Sequence, residues 1–198
     1  MKYFALTLAL VVSCFAAGSD TEKSRTAGNM TAPLRLDLYS DFTCPHCKMF
    51  HDQLLPKLVN DYINTGKAYL VFHEYTLSGQ GHEHSREASN YAAAASRIGK
   101  YGVVAGALFA AQQSWAINGK VWDVVAAVLT PAERTKVLAL VKDPSVLADV
   151  QRDLDSGNAA RVDRTPTLVV SPRGKKPTPW SYWGDYNLFR SFLDSQLK

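Results

Sequence analysis

The sequence predicts an α/β domain with the order strand, helix, strand, long helical block, strand, strand, helix. Three observations predict it. Leu34, Leu36 and Leu38 alternate with Arg35 and Asp37, the period-2 pattern of a strand. Directly after it, Phe50, Leu54, Leu58 and Tyr62 recur at helical spacing. An Ala-rich stretch from residue 83 to about 151 then reads as helical throughout and interrupts the α/β order.

Taken in order, Ser40, Asp41 and Thr43 can cap the helix that follows the first strand. That helix runs from Pro45 to about Asn64. Pro56 inside it predicts a kink, and Gly66 predicts its C-terminal end. Residues 67–75 read as a second, largely buried strand. In the helical block, Tyr91 and the four alanines after it share one helix, residues 103–115 a second and residues 121–129 a short third. Thr130, Pro131 and Glu133 have the spacing of a capping box with proline in the first turn. Asp143-Pro144 opens one more helix, which Gly157-Asn158 is expected to break. Residues 167–170 form a short strand, residues 179–184 its hairpin partner, and residues 186–197 a terminal helix.

The chain has 198 residues, the size of one domain or of one domain carrying an insertion. Its net charge of +4 is scattered and forms no basic stripe, which argues against a nucleic-acid partner. Lys2 precedes an apolar run, residues 4–17, broken only by Thr7 and Ser13. A bilayer span takes about 18 or more apolar residues. The run therefore fits the core of an export signal. Two processing routes fit it. Residues 1–18 form a signal peptide cut before Ser19, or the lipobox-like Val11-Val12-Ser13-Cys14 makes Cys14 the lipidated first residue. Either way the expected location is extracytoplasmic, in the periplasm, with membrane attachment only through a lipid on Cys14. Residues 19–32 are expected to be a flexible spacer. Residues 33–198 are the folded domain, with the helical insertion at about 83–160.

With Cys14 in the targeting segment, the domain holds two cysteines, both in Cys44-Pro45-His46-Cys47. Export places them where disulfides persist. A disulfide of so short a span constrains little of the unfolded chain, so the pair points to reactivity. Cys44 lies between a strand and a helix, where free N–H groups and the helix dipole favour a thiolate. An ordinary cysteine has a pKa near 8.5, and CxxC cysteines at helix N-termini fall below it. His46 adds a donor or a positive charge, and Pro45 suits an early helical position. A stabilised thiolate makes the corresponding disulfide a stronger oxidant. Cys44 is thus expected to hold the mixed disulfide with substrate, and Cys47, one turn deeper, to resolve it.

The segment Asp41-Phe42-Thr43-Cys44-Pro45-His46-Cys47 resembles the active-site segment of the DsbA-like thiol–disulfide oxidoreductases. Arg164-Thr165-Pro166-Thr167 resembles their cis-proline loop, and the helical block resembles their insertion. The resemblance runs from about Pro33 to the C-terminus. It implies a thioredoxin fold with a helical insertion between the second strand and the cis-proline loop. It also implies a cis Pro166 and a Thr165 backbone that pairs with substrate. The implied activity is a dithiol oxidase that introduces disulfides into unfolded or folding exported proteins, needs no cofactor and is recharged by a redox partner. Thr165 is a departure. The oxidase with this same motif has an apolar β-branched residue there, whereas many thioredoxin-like reductases and isomerases have threonine. The reductase or isomerase reading therefore stays open.

Other chemistries fit less well. Cys44, Cys47 and His51 offer three zinc ligands, but no second cysteine pair completes a structural site. Haem attachment needs histidine where Lys48 stands. His73, His82 and His84 are the remaining candidates for a metal-binding module, and a polar loop explains His82-Glu83-His84 equally well. Glu74 ends a strand near the site. Trp180, Tyr182 and Trp183 either pack or rim a substrate groove.

Overall fold

The computed structural model describes residues 20–198. The expected signal segment and Cys14 lie outside them. The elements are α1 (Asp20–Ser24), β1 (Thr26–Ala27), β2 (Leu34–Ser40), α2 (Pro45–Met49), α3 (Leu55–Leu58), β3 (Ala68–Glu74), α4 (Ser85–Ser96), α5 (Tyr101–Ala110), α6 (Gln112–Asn118), α7 (Val121–Ala127), α8 (Pro131–Leu140), α9 (Pro144–Ala159), β4 (Thr167–Pro172), β5 (Thr178–Trp180) and α10 (Tyr186–Gln196). Among the described residues the sheet has the order β1-β3-β2-β4-β5. β2 and β3 are parallel from Leu34↔Ala68 to Ser40↔Glu74, and the other pairings are antiparallel. This is a thioredoxin fold, with α4–α9 inserted between β3 and β4.

β2 lies at the centre, and its leucines explain why. Leu34, Leu36 and Leu38 are at most 3% exposed, each burial stabilising the fold by about 1.5–3 kcal/mol. They pack with Phe50, Leu58, Tyr62, Phe189 and Leu193 into a core that covers one face. Tyr39, Tyr75, Val162 and Val169 cluster elsewhere, beside α9. The insertion has its own core around Leu108, Trp115, Val121 and Val150, which also contains Phe42, Cys44 and Cys47. The cysteine pair therefore sits where the insertion meets the thioredoxin layer.

Four expectations change. First, the stretch expected as a flexible spacer, residues 19–32, is partly built into the fold: α1 and β1 lie within it. Thr26 and Ala27 pair with Val71 and Leu70, Phe72 N donates to Arg25 O at 2.9 Å, and the buried Arg25 guanidinium pairs with Asp153. An ion pair to a residue so far along the chain leaves no hydrophobic period to read. Second, the helix expected to kink at Pro56 is not a regular α-helix. α2 and α3 are joined by a π-helical turn, Phe50–Leu54, in which Leu55 N reaches back to Phe50 O. Widening the turn just ahead of Pro56 accommodates a residue that has no N–H and crowds the preceding carbonyls.

Third, residues 103–115 are two helices, α5 and α6, which part at Ala111 (φ −95°, ψ 11°). Side chains take up the carbonyls this break frees: Trp115 Nε1 donates to Leu108 O at 2.7 Å and Lys48 Nζ to Phe109 O at 2.8 Å. Fourth, α9 runs through Gly157. That glycine serves a close approach, because a Cβ there would lie 2.5 Å from the Tyr75 ring. The capping box at Thr130 and Glu133 forms as read, and the hairpin partner of β4 is Thr178–Trp180.

Candidate active site

Cys44 is the N-cap of α2, with extended backbone (φ −73°, ψ 121°), and Pro45 opens the helix. The turn before it is built around Asp41, which is fully buried. Asp41 Oδ1 accepts the N–H groups of Thr43 at 2.6 Å and Cys44 at 3.2 Å, and the Thr43 hydroxyl. Asp41 Oδ2 accepts Leu77 N at 2.7 Å and the Ser85 hydroxyl. One carboxylate thus ties the turn to the start of the insertion. Since the Thr43 hydroxyl donates to Asp41, the 2.6 Å contact with His82 Nδ1 requires that nitrogen to carry the proton.

Both cysteines are free thiols and buried, at 5% and 1% exposure for Cys44 and Cys47. Their acidities separate. A hydrogen bond from Cys47 is the largest influence lowering the Cys44 pKa; helped by Thr165 and the N–H groups of Cys47 and His46, it outweighs burial and brings the value to about 5. Burial, followed by the neighbouring Cys44, pushes Cys47 well above the ordinary thiol value. Asp41 N donates to Cys47 Sγ at 3.4 Å.

Opposite Cys44 stands the Thr165–Pro166 peptide, which is cis. Thr165 O is 3.5 Å from Cys44 Sγ. The Thr165 hydroxyl is buried without a hydrogen-bond partner in this dithiol state. An open groove of about 650 Å³ follows, lined by His46, Met49, Arg164, Thr165, Pro166 and Trp183. Trp183 Nε1 donates to Pro166 O at 2.9 Å while its ring packs edge-on against Phe50 at 4.6 Å. Trp183 therefore both packs and rims the groove. Trp180 stacks on Phe192, and Tyr182 is exposed.

On the inner side, Cys47 lines a mainly apolar cavity of about 170 Å³ together with Phe42, His51, Phe72, Glu74, Tyr101 and Phe109. Glu74 is not a strand-end surface carboxylate: it is 1% exposed. Burial raises its pKa to about 8, against the pull of Arg25 and of hydrogen bonds from Tyr101 Oη at 2.9 Å and Ser89 Oγ at 3.1 Å. The sequence marks Glu74 as near the site but hides its burial, which comes from the insertion closing over it. Gln112, buried in the same way, has no local signal; its Nε2 donates to the carbonyls of Phe42 and Cys44.

The histidines are dispersed. His73 bridges Asp37 at 2.7 Å and Asp153 at 2.9 Å, His82 meets Thr43, and His84 lies 3.8 Å from Glu87. Among the described residues, no three His, Cys, Asp or Glu side chains converge as a metal cage. None of the described helices is long and apolar enough to cross a membrane.

Comparison with known proteins agrees with this geometry. Residues 20–181 match the family model described as thioredoxin. Disulfide bond formation protein D of Bacillus subtilis (strain 168) is 25% identical over 180 residues, which is 86% of this chain and 76% of that protein. The crystal structure of Wolbachia pipientis alpha-DsbA1 superposes with a TM-score of 0.72 at 19% identity, covering 87% of this chain and 90% of that one. Oxidised BdbD from Bacillus subtilis gives 0.70 at 23% identity, covering 88% and 94%. The chain belongs to the thioredoxin family, among its DsbA-like thiol–disulfide oxidoreductases.

Proposed function

We propose that this chain is an exported dithiol oxidase that donates the Cys44–Cys47 disulfide to unfolded or folding proteins. The observation that carries the reading is the split in acidity within one CxxC: an acidic Cys44 at a helix N-terminus and a buried, basic Cys47 behind it. A substrate thiolate attacks Cys44 Sγ, a new S–S bond forms, and the Cys44–Cys47 bond breaks with its electron pair on Cys47. Cys47 is strongly basic and takes a proton. Glu74 lines the same cavity, and with a pKa of about 8 it is protonated at neutral pH and placed to supply that proton. A second substrate thiolate then attacks the substrate sulfur, releasing the substrate disulfide and the Cys44 thiolate. Two electrons have passed to the cysteine pair, and a redox partner must remove them.

The depressed Cys44 pKa supports both ends of this sequence. Cys44 is a good leaving group, and at pH 7 its thiolate exceeds the thiol by roughly a hundredfold. Beside it, the Thr165 backbone and the groove past Pro166 offer an extended substrate segment a place to lie. The periplasmic location, with or without a lipid on Cys14, belongs to the same reading. A reductase or isomerase is the second reading, favoured by the polar Thr165 beside the sulfur. Replacement of the cysteines tests the mechanism. Cys44→Ser is expected to abolish dithiol oxidation, and Cys47→Ser to trap a mixed disulfide through Cys44. Full oxidase activity in Cys44→Ser would overturn it.

A further inference from the structure

Four contacts tie the corner between α5 and α6 to the redox turn. Phe109 lays its ring against Phe42 at 4.9 Å and His51 at 4.8 Å. Lys48 Nζ, one residue beyond the CxxC, reaches Phe109 O at 2.8 Å. The fourth contact is polar and fully enclosed. Gln112, 4% exposed, donates from Nε2 to Phe42 O at 2.7 Å and to Cys44 O at 3.0 Å.

We propose that Gln112, a residue of the helical insertion, is a positioning residue for the redox pair: its carboxamide pins the Phe42 and Cys44 carbonyls and so holds Cys44 against the N-terminus of α2. Three physical points support this. Phe42 O lies ahead of α2, and in a buried turn it needs a donor from elsewhere. Cys44 O already accepts the first helical bond, from Lys48 N at 3.2 Å, and Gln112 fills its second lone pair. The Cys44 carbonyl belongs to the residue that carries the sulfur, and pairing its dipole with an amide reduces the negative potential a thiolate there feels. The break at Ala111 gives this role a structural reason, since Gln112 is the first residue of the helix that begins after it. Through this one side chain the position of the insertion bears on the chemistry of Cys44.

The inference rests on Cys44 being the reacting thiol, which the cysteine replacements above test separately. Gln112→Leu removes both donors at similar volume, and Gln112→Glu keeps the shape but, as a buried acid held protonated beside two carbonyls, offers one donor in place of two. The experiment measures the Cys44 pKa from thiolate absorbance and the dithiol–disulfide equilibrium in glutathione buffers, alongside the melting temperature of each variant. Gln112→Leu is expected to raise the Cys44 pKa by about one unit and to shift the equilibrium about tenfold toward the disulfide, or about 30 mV. Gln112→Glu, which keeps one donor, is expected to shift both in the same direction by less. Should either variant fail to fold, Gln112→Asn, which keeps the amide but withdraws it by one methylene, is expected to show a smaller shift of the same sign. Lower melting temperatures with unchanged pKa and equilibrium would assign Gln112 a purely structural part and overturn the proposal.

Discussion

Replacing Glu74 with glutamine should make the protein more stable at neutral pH and a slower oxidase. The carboxyl is fully buried with a pKa of about 8, whereas an exposed glutamate in the unfolded chain titrates near 4.5. A folded-state pKa raised in an acid means that stability is lost as pH rises from the unfolded value to the folded one. Between pH 4.5 and 7 the unfolded chain gains a solvated charge that the folded chain cannot accept. The deficit at pH 7 is about 3 kcal/mol, falling to a few tenths of a kcal/mol at pH 4.5. Glutamine never ionises, and the Ser89 and Tyr101 hydroxyls can rotate to meet its amide. Urea unfolding of reduced wild type and Glu74→Gln at pH 4.5 and pH 7 reads the difference directly. The gain should be near zero at the lower pH and about 3 kcal/mol at the higher. Oxidation of a model dithiol should slow in the same variant, because Cys47 loses its proton donor. A stability difference of equal size at both pH values would refute the buried acid, and unchanged turnover would remove Glu74 from the reaction.

The Thr165 hydroxyl, unpartnered beside the Cys44 thiol, is available to donate to the thiolate, so Thr165→Val should raise the Cys44 pKa by about one unit and make the couple about 30 mV less oxidising; equal potentials in the two proteins would contradict this. His73 titrates at about 9: burial opposes its charge, but Asp153 and Asp37 outweigh it. Its folded pKa lies above the unfolded 6.5, so its contribution is complete below pH 6.5 and fades as pH rises through 9. His73→Gln should therefore destabilise most below pH 6.5, with the gap to wild type narrowing by about 3 kcal/mol up to pH 9 in denaturant titrations.

The parts of the molecule legible in the sequence are those with local causes. Leu34, Leu36 and Leu38 alternate because one strand buries one row of side chains, and Thr130 with Glu133 forms a cap within a single turn. Cys44-Pro45-His46-Cys47 was readable as a reactive pair because strand, cap and helix adjoin it in the chain. What stayed hidden depends on distant partners. Arg25 is polar and looks like linker until Asp153 and Phe72 pair with it. Gly157 looks like a breaker until the rings of Tyr75 and Tyr39 press on it. Asp41 looks like a cap, yet its carboxylate also binds Leu77 and Ser85. Glu74 and Gln112 become part of the site only when the insertion folds over the redox turn, and no periodicity in their neighbours records that closure.

On the proposed function, an acidic Cys44 makes this pair an oxidant. At pH 7 a Cys44 pKa of about 5 in place of 9 favours the dithiol by up to about a hundredfold, or about 60 mV. Equilibration of the full chain with graded glutathione buffers at pH 7 measures the potential of the Cys44–Cys47 couple. A value well above the −270 mV or so of thioredoxin is expected. A value at or below that level would contradict it and make the chain a reductase.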